Sequence, residues 1–170
     1  MDPLSPIITC GLASDYAEIG RLNEALGLLD KLIEREPTSS IAHFWRSYCF
    51  MIETTKEKAF ADWEAKYKLD RNEGEYKLGL AALHGWFGER EKALHLVRKL
   101  QEGQIAQERP WFVALCYAFL GDRDEFFAWI DKAINIRRFS AASLRYSPFF
   151  DNVRNDPRFP EIFKRLGLPS

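Results

Sequence analysis

The sequence has no excess of charge of either sign, no long apolar run and few cysteines. Its 24 Lys and Arg residues stand against 25 Asp and Glu, a formal net charge of −1. Phosphate binding needs a concentrated basic face, so we expect no nucleic acid partner. No apolar run approaches the ~20 residues that cross a bilayer, so we expect no membrane partner. The first residues carry no basic region with an apolar signal core, which predicts a cytoplasmic protein.

The residue types that carry enzyme chemistry are also sparse. Cys10, Cys49 and Cys116 are far apart and each falls in an apolar helical stretch, which predicts buried reduced thiols. The sequence contains no glycine-rich phosphate loop, no His-Glu-x-x-His pair and no clustered Cys/His spacing. We therefore predict that the protein is not an enzyme and that it holds no cofactor and no metal.

What the sequence does contain is an internal period of 34 residues. The period is visible in three sets of equivalent positions: Ala25, Ala59 and Ala93; Leu29, Trp63 and Val97; and Gly20, Thr54 and Gly88. A period of this length is typical of a helix–turn–helix repeat, which buries its apolar face only by stacking on its neighbours. The protein is therefore expected to present a surface for binding something.

The period divides the chain into four repeats, at about residues 6–38, 39–72, 73–107 and 108–139, after an N-terminal tail of residues 1–5. In the fourth repeat Phe126 stands where the others have alanine, which predicts that this repeat is either splayed or packed against something other than a fifth repeat. The period ends near Ser140, and residues 140–170 predict two short helices that cap the exposed end of the core. All of these parts are expected to form one structural domain.

These residues resemble the tetratricopeptide repeat (TPR) family. The family pattern has a small residue and an aromatic in the first helix, glycine at the turn, alanine and a large apolar residue in the second helix, and then proline. The first repeat matches at Ala13, Tyr16, Gly20, Ala25, Leu29 and Pro37. The resemblance implies an all-α fold, a right-handed α-solenoid of antiparallel helix pairs with C-terminal capping helices. It also implies that the first helix of each pair lines a concave face.

The fourth repeat and the C-terminal segment resemble the TPR endings of bacterial winged-helix regulators, nucleotide cyclases and kinases. Residues 114–122, 149–152 and 156–169 carry this second resemblance. It implies that the chain is the sensory or partner-binding part of a larger signalling or transcription regulator.

The period further predicts which side chains of the first helices face the concave groove. By period these positions are Cys10 and Ser14 in the first repeat, Phe44, Tyr48 and Met51 in the second, Leu78, Ala82 and Gly85 in the third, and Trp111, Leu115 and Ala118 in the fourth. The seven taken as partner-binding residues are Phe44, Tyr48, Met51, Leu78, Ala82, Trp111 and Leu115. An apolar and aromatic surface of this kind is suited to bury a helix or an extended apolar segment. We therefore predict a non-catalytic interaction scaffold that binds a peptide or helix of a partner protein on this face.

Family members that bind chaperone tails hold a peptide carboxylate with lysine, arginine and asparagine side chains on the same face. The corresponding positions here are Cys10, Ser14, Trp45, Glu75 and Gly79. This carboxylate clamp is missing, so we reject an adaptor for chaperone C-terminal tails.

Three alternatives to an outside partner stay open at this point. The C-terminal helix that contains Phe159 and Phe163 could fold back and fill the groove. The aromatic residues could simply belong to the core, as most aromatics at helical spacing do. The face could also join two copies of the chain in a homodimer.

Overall fold

The computed structural model describes residues 5–137 and 141–167. Within these ranges the protein is all-α, as predicted, with twelve α-helices, one 3-10 helix and no strand. The helices are α1 (Pro6–Glu18), α2 (Leu22–Arg35), α3 (Ser40–Ile52), α4 (Lys56–Asp70), α5 (Glu73–Trp86), α6 (Arg90–Leu100), α7 (Gln104–Glu108), α8 (Pro110–Leu120), α9 (Arg123–Asn135), α10 (Ala141–Tyr146), the 3-10 helix η1 (Pro148–Phe150), α11 (Asp151–Arg154) and α12 (Phe159–Arg165). In this part of the chain no helix has the length and apolarity needed to span a membrane.

The long helices pack in consecutive pairs, namely α1 with α2, α3 with α4, α5 with α6, and α8 with α9. The second helix of each pair also packs on the first helix of the next pair, as α2 does on α3, α4 on α5 and α6 on α8. First helices contact one another too, α1 on α3 and α5 on α8. This arrangement is consistent with a helical repeat.

The equivalent alanines lie in the core of the helix stack. Ala25, Ala59 and Ala93 are all fully buried, as the 34-residue spacing predicts. A methyl side chain lets two helix backbones approach without leaving a gap in the core. The repeated position therefore has the same structural role in the first three pairs.

The turn inside each of these pairs uses one residue with left-handed backbone geometry. Gly20 and Gly88 have φ of 80° and 78°, and Thr54 has φ of 62° at the equivalent place. Glycine adopts this conformation freely, whereas a β-branched residue does so only with strain. The second pair thus keeps the turn of its neighbours at a cost in backbone energy.

The fourth pair packs against the C-terminal residues rather than against a fifth repeat. Phe126 is fully buried, and its ring centroid lies 6.0 Å from that of Phe150 and 6.5 Å from that of Phe159. We call residues 141–150 (α10 to η1) the strap. The strap runs from the first pair, where α10 packs on α1, to the fourth, where η1 packs on α8.

The C-terminal part is more finely divided than the sequence predicts. It holds α10, η1, α11 and α12, where two short helices are expected, and the short helix α7 lies between the third and fourth pairs. Residues 1–4 of the predicted N-terminal tail, 138–140 at the predicted repeat boundary and 168–170 of the predicted cap lie outside the described residues.

Candidate binding cavity

A cavity of about 440 Å³ lies between the first helices of the second, third and fourth pairs and the strap. Its aromatic lining consists of Phe44, Trp45, Tyr48, Trp63, Trp111, Phe112, Phe149 and Phe150. Small-molecule sites in proteins typically have volumes of roughly 300–1,000 Å³ and mostly apolar walls with a few polar groups. The cavity therefore has the size and lining of a binding site.

Five of the eleven positions predicted to face the groove, namely Cys10, Ser14, Leu78, Gly85 and Ala118, do not line this cavity. Six of the seven predicted partner-binding side chains do line it. They are Phe44, Tyr48, Met51, Ala82, Trp111 and Leu115. The structure places the seventh, Leu78, in the core, where it is fully buried and its carbonyl oxygen lies 3.7 Å from the Sγ of Cys116. Successive residues of an α-helix point roughly 100° apart, so its neighbour Gly79 lines the cavity instead.

Trp63 reaches the cavity from a second helix, which the period does not predict. It does so because Gly79 on α5 has no side chain, and a Cβ added there would lie 1.8 Å from Cζ2 of Trp63. The indole Nε1 of Trp63 donates a hydrogen bond to the carbonyl oxygen of Tyr76 at 2.9 Å, which holds the ring over the glycine. The sequence signal for this contact is a tryptophan at a position where the other repeats have Leu29 and Val97.

The strap supplies the wall that the sequence did not reveal. The ring centroid of Phe149 lies 4.6 Å from those of Tyr48 and Trp86 and 5.1 Å from that of Phe119. The hydroxyls of Tyr48 and Ser147 share a hydrogen bond of 2.9 Å. Burial raises the pKa of Tyr48, so its hydroxyl stays protonated at neutral pH and is available for this bond.

The C-terminal helix α12 does not fill the groove. Its Phe159 packs against Phe126 of α9 and against Phe163 on its own helix. Phe159 and Phe163 therefore do not occupy the groove. Phe149 and Phe150 of the strap line it instead. They cover part of the face and leave the cavity open.

The three tryptophans in the cavity wall differ in what their indole N–H groups bind. Trp63 donates to a backbone carbonyl, as described above. Trp45 and Trp111 donate no hydrogen bond to any of the described residues, and neither indole nitrogen is fully buried. Two hydrogen-bond donors on the aromatic wall are thus left without an acceptor within residues 5–137 and 141–167.

The charged residues in the lining are one carboxylate and one guanidinium. Glu108 accepts a hydrogen bond from Nε2 of Gln104 at 2.6 Å, and Nη2 of Arg109 lies 3.5 Å from Oε2 of Glu75. Each of these two groups already has a polar or oppositely charged partner. Arg109 is thus paired with a carboxylate, whereas no cation among the described residues pairs with Glu108, so the edge of the cavity disfavours an anionic ligand.

Two histidines lie beside carboxylates away from this cavity. The Nδ1 of His43 is 2.8 Å from Asp62, and the same carboxylate accepts hydrogen bonds of 2.7 and 2.8 Å from Arg46. The Nδ1 of His84 is 2.6 Å from Oε2 of Glu89. The bonds from Arg46 to Asp62 join α3 to α4, which is a structural role. Neither histidine lines the cavity.

The cysteines and the acidic residues add no reactive centre to the cavity. Burial raises the pKa of the Cys116 thiol to about 12, so the thiol is protonated at neutral pH and is a poor nucleophile. Over the described residues there is no group of three or more His, Cys, Asp and Glu side chains that could hold a metal ion.

Comparison of the chain with protein-family models and with curated proteins finds no match. The function is therefore argued from the cavity and from the residues that form it.

Proposed function

We propose that the protein is a non-catalytic binding module, a right-handed TPR-type α-solenoid whose concave aromatic face receives an apolar segment of a partner protein. The observation that carries this proposal is that six side chains predicted from the repeat period line one aromatic cavity. Aromatic side chains contribute most of the energy at many protein interfaces because they bury large apolar areas with few rotatable bonds.

The size of the cavity favours a short segment over a whole helix. A helix with its side chains is about 10–12 Å wide, so two turns occupy on the order of 900 Å³. The cavity measures about 440 Å³, roughly half of that volume. It accommodates one or two bulky apolar side chains, and the rest of the partner segment lies at the cavity edge beside Glu108 and Arg109.

A regulatory or sensory domain is the second candidate, and the position of the strap favours it. The strap contacts the first pair through a hydrogen bond from Oγ of Ser143 to the Glu18 carboxylate, and the third and fourth pairs through Phe149. An occupant of the cavity also touches the strap, so its arrival is transmitted to both ends of the stack. Homodimerisation through the concave face requires the strap to leave it.

The three free, buried cysteines support a reducing compartment, which we propose to be the cytoplasm.

The binding proposal is tested by selecting random peptides displayed on phage against the purified protein. We expect the selected peptides to share a bulky apolar residue and to bind one per chain. Leu115→Trp fills the cavity and is expected to weaken binding about tenfold or more. Leu96→Trp, the same change at a half-buried position on α6 outside the cavity, is the control and should leave binding intact. Failure to enrich any peptide family, or equal binding by Leu115→Trp, would contradict the proposal.

A further inference from the structure

We infer that the cavity is also a site for a small neutral ligand, a largely hydrocarbon molecule that carries a hydrogen-bond acceptor such as a carbonyl oxygen. This inference goes beyond a protein partner, because it requires only the cavity and the donors in its wall.

The first support is the aromatic lining of the cavity. Its walls come from α3, α5 and α8 on the side of the repeats and from Phe149 and Phe150 of the strap on the other. A ligand in the cavity contacts aromatic rings of both the repeats and the strap, and one side of the cavity stays open to solvent. Burial of apolar surface contributes about 25 cal/mol per Å² before the costs of association are subtracted.

The second support is the state of the polar lining groups, which favours a neutral ligand. The Oγ of Ser47 donates to the carbonyl oxygen of Ala59 at 2.8 Å, and Ser147 bonds to Tyr48. Arg109 is paired with Glu75, and Glu108 accepts only from the neutral side chain of Gln104. An anion placed among the rings would lose its hydration and meet the Glu108 carboxylate at the edge, which is strongly unfavourable, so the lining favours a neutral ligand over an anionic one.

The third support is the pair of indole donors on Trp45 and Trp111. Among the described residues neither has an acceptor, whereas the third tryptophan of the wall is satisfied by a backbone carbonyl. Because both indole nitrogens are accessible to solvent, a ligand with a carbonyl or ether oxygen can take the place of water as their acceptor, which a pure hydrocarbon cannot do. The expected ligand is therefore apolar in bulk and polar at one or two oxygen atoms.

The small ligand and the apolar side chain of a protein partner would use the same walls. Both contact Phe44, Tyr48 and Leu115, so the two occupants exclude each other. The small molecule is thereby a competitive regulator of partner binding.

The test uses three fluorescent dyes with related aromatic cores. Prodan is neutral and has a ketone, N-phenylnaphthylamine is neutral and has no carbonyl, and anilinonaphthalene sulfonate is anionic. We expect one Prodan per chain, with the anionic dye binding more weakly. Leu115→Trp should weaken Prodan binding about tenfold or more, and Leu96→Trp should not. Ala82→Phe, a second change that fills the cavity, covers the case in which Leu115→Trp does not fold.

The indole donors are tested with Trp45→Phe and Trp111→Phe, which keep an aromatic ring and remove the N–H group. We expect each to weaken Prodan several-fold and to change the affinity for N-phenylnaphthylamine by less than about twofold. Equal losses for both dyes, a tighter anionic dye, or Prodan binding that survives both cavity-filling changes would overturn the inference. Peptide binding without Prodan binding would also overturn it while leaving the proposed function standing. Prodan binding without any peptide would uphold it and reject the protein partner.

Discussion

Gly79 has no side chain because the Trp63 ring occupies the space where one would stand. An added Cβ would lie 1.8 Å from Cζ2 of Trp63, so Gly79→Ala forces the ring or α5 to move. We expect a loss of about 1–3 kcal/mol in the free energy of unfolding, measured by urea denaturation. Gly27→Ala in α2 is the control, since nothing lies within 4 Å of its Cβ position. It should gain about 0.5–1 kcal/mol from helix propensity. Equal effects of the two changes would contradict the close approach of Trp63.

Thr54 holds a left-handed conformation at a turn where Gly20 and Gly88 have glycine. Thr54→Gly relieves backbone strain of about 1–2 kcal/mol. Part of this gain in stability is offset because glycine gives the unfolded chain more conformational entropy. We expect a net gain of about 0.5–1 kcal/mol in stability, read from the urea midpoint. The neighbouring Thr55, with φ of −90°, has no such strain. Thr55→Gly should therefore be neutral or destabilising, and a gain there would contradict the explanation.

Asp156 gives the protein a pH-dependent contribution to stability. Arg158 donates to its carboxylate from Nε and Nη2 at 2.9 Å and from its backbone N–H at 3.0 Å, which lowers the pKa of Asp156 from 3.8 to about 2. Because the pKa is lower in the folded state, this stabilisation is present above about pH 4 and is lost as the pH falls through 2. The difference in Tm between the wild type and Asp156→Asn should shrink over this range. A Tm difference that stays constant with pH would show that the bonds from Arg158 to Asp156 do not stabilise the fold in this way.

Among the elements, the strap is the one whose packing decides whether the cavity exists. Phe149 is 2% exposed and lies among the rings of Tyr48, Trp86 and Phe119. Phe149→Ala should cost about 3–5 kcal/mol in unfolding free energy, because it removes a buried ring and leaves a void. Tyr146→Ala, on the same strap but 59% exposed, should stay within about 0.5 kcal/mol. A loss below about 1 kcal/mol for Phe149→Ala would mean that the strap does not occupy the groove.

The paired helices could be predicted from the sequence, and the strap could not. Ala25, Ala59 and Ala93 occupy equivalent buried positions in three successive helix pairs. Their burial can therefore be predicted from the repeat period. The bond between Tyr48 and Ser147 joins residues that are 99 positions apart. No spacing within either segment indicates such a contact, and the strap begins where the period ends.

For the candidate site too, the residues on the repeat helices could be predicted from the sequence and those on the strap could not. Residues such as Phe44 and Trp111 follow from the period, since α3, α5 and α8 turn equivalent positions toward the cavity. Leu78 lies in the core, while the neighbouring Gly79 lines the cavity and leaves room for the ring of Trp63. Phe149 and Phe150 come from outside the repeats altogether.

For the whole molecule, the strap adds contacts that a stack of repeats lacks. Units of a solenoid normally touch only their neighbours. Here Ser143 hydrogen-bonds to Glu18, 125 residues away in the sequence, while η1 packs on α8 of the fourth pair. A ligand in the proposed site would therefore contact both the repeats and the strap that spans them.

The most direct test of ligand binding in the cavity is the NMR signal of the Met51 methyl group. The sequence has two methionines, Met1 and Met51, and Met51 lines the cavity at 6% exposure. With methyl-labelled methionine, addition of Prodan should move the Met51 resonance until one dye is bound per chain, and Leu115→Trp should abolish the shift. A Met51 resonance that stays in place while Prodan binds would contradict a binding site between the strap and the repeats.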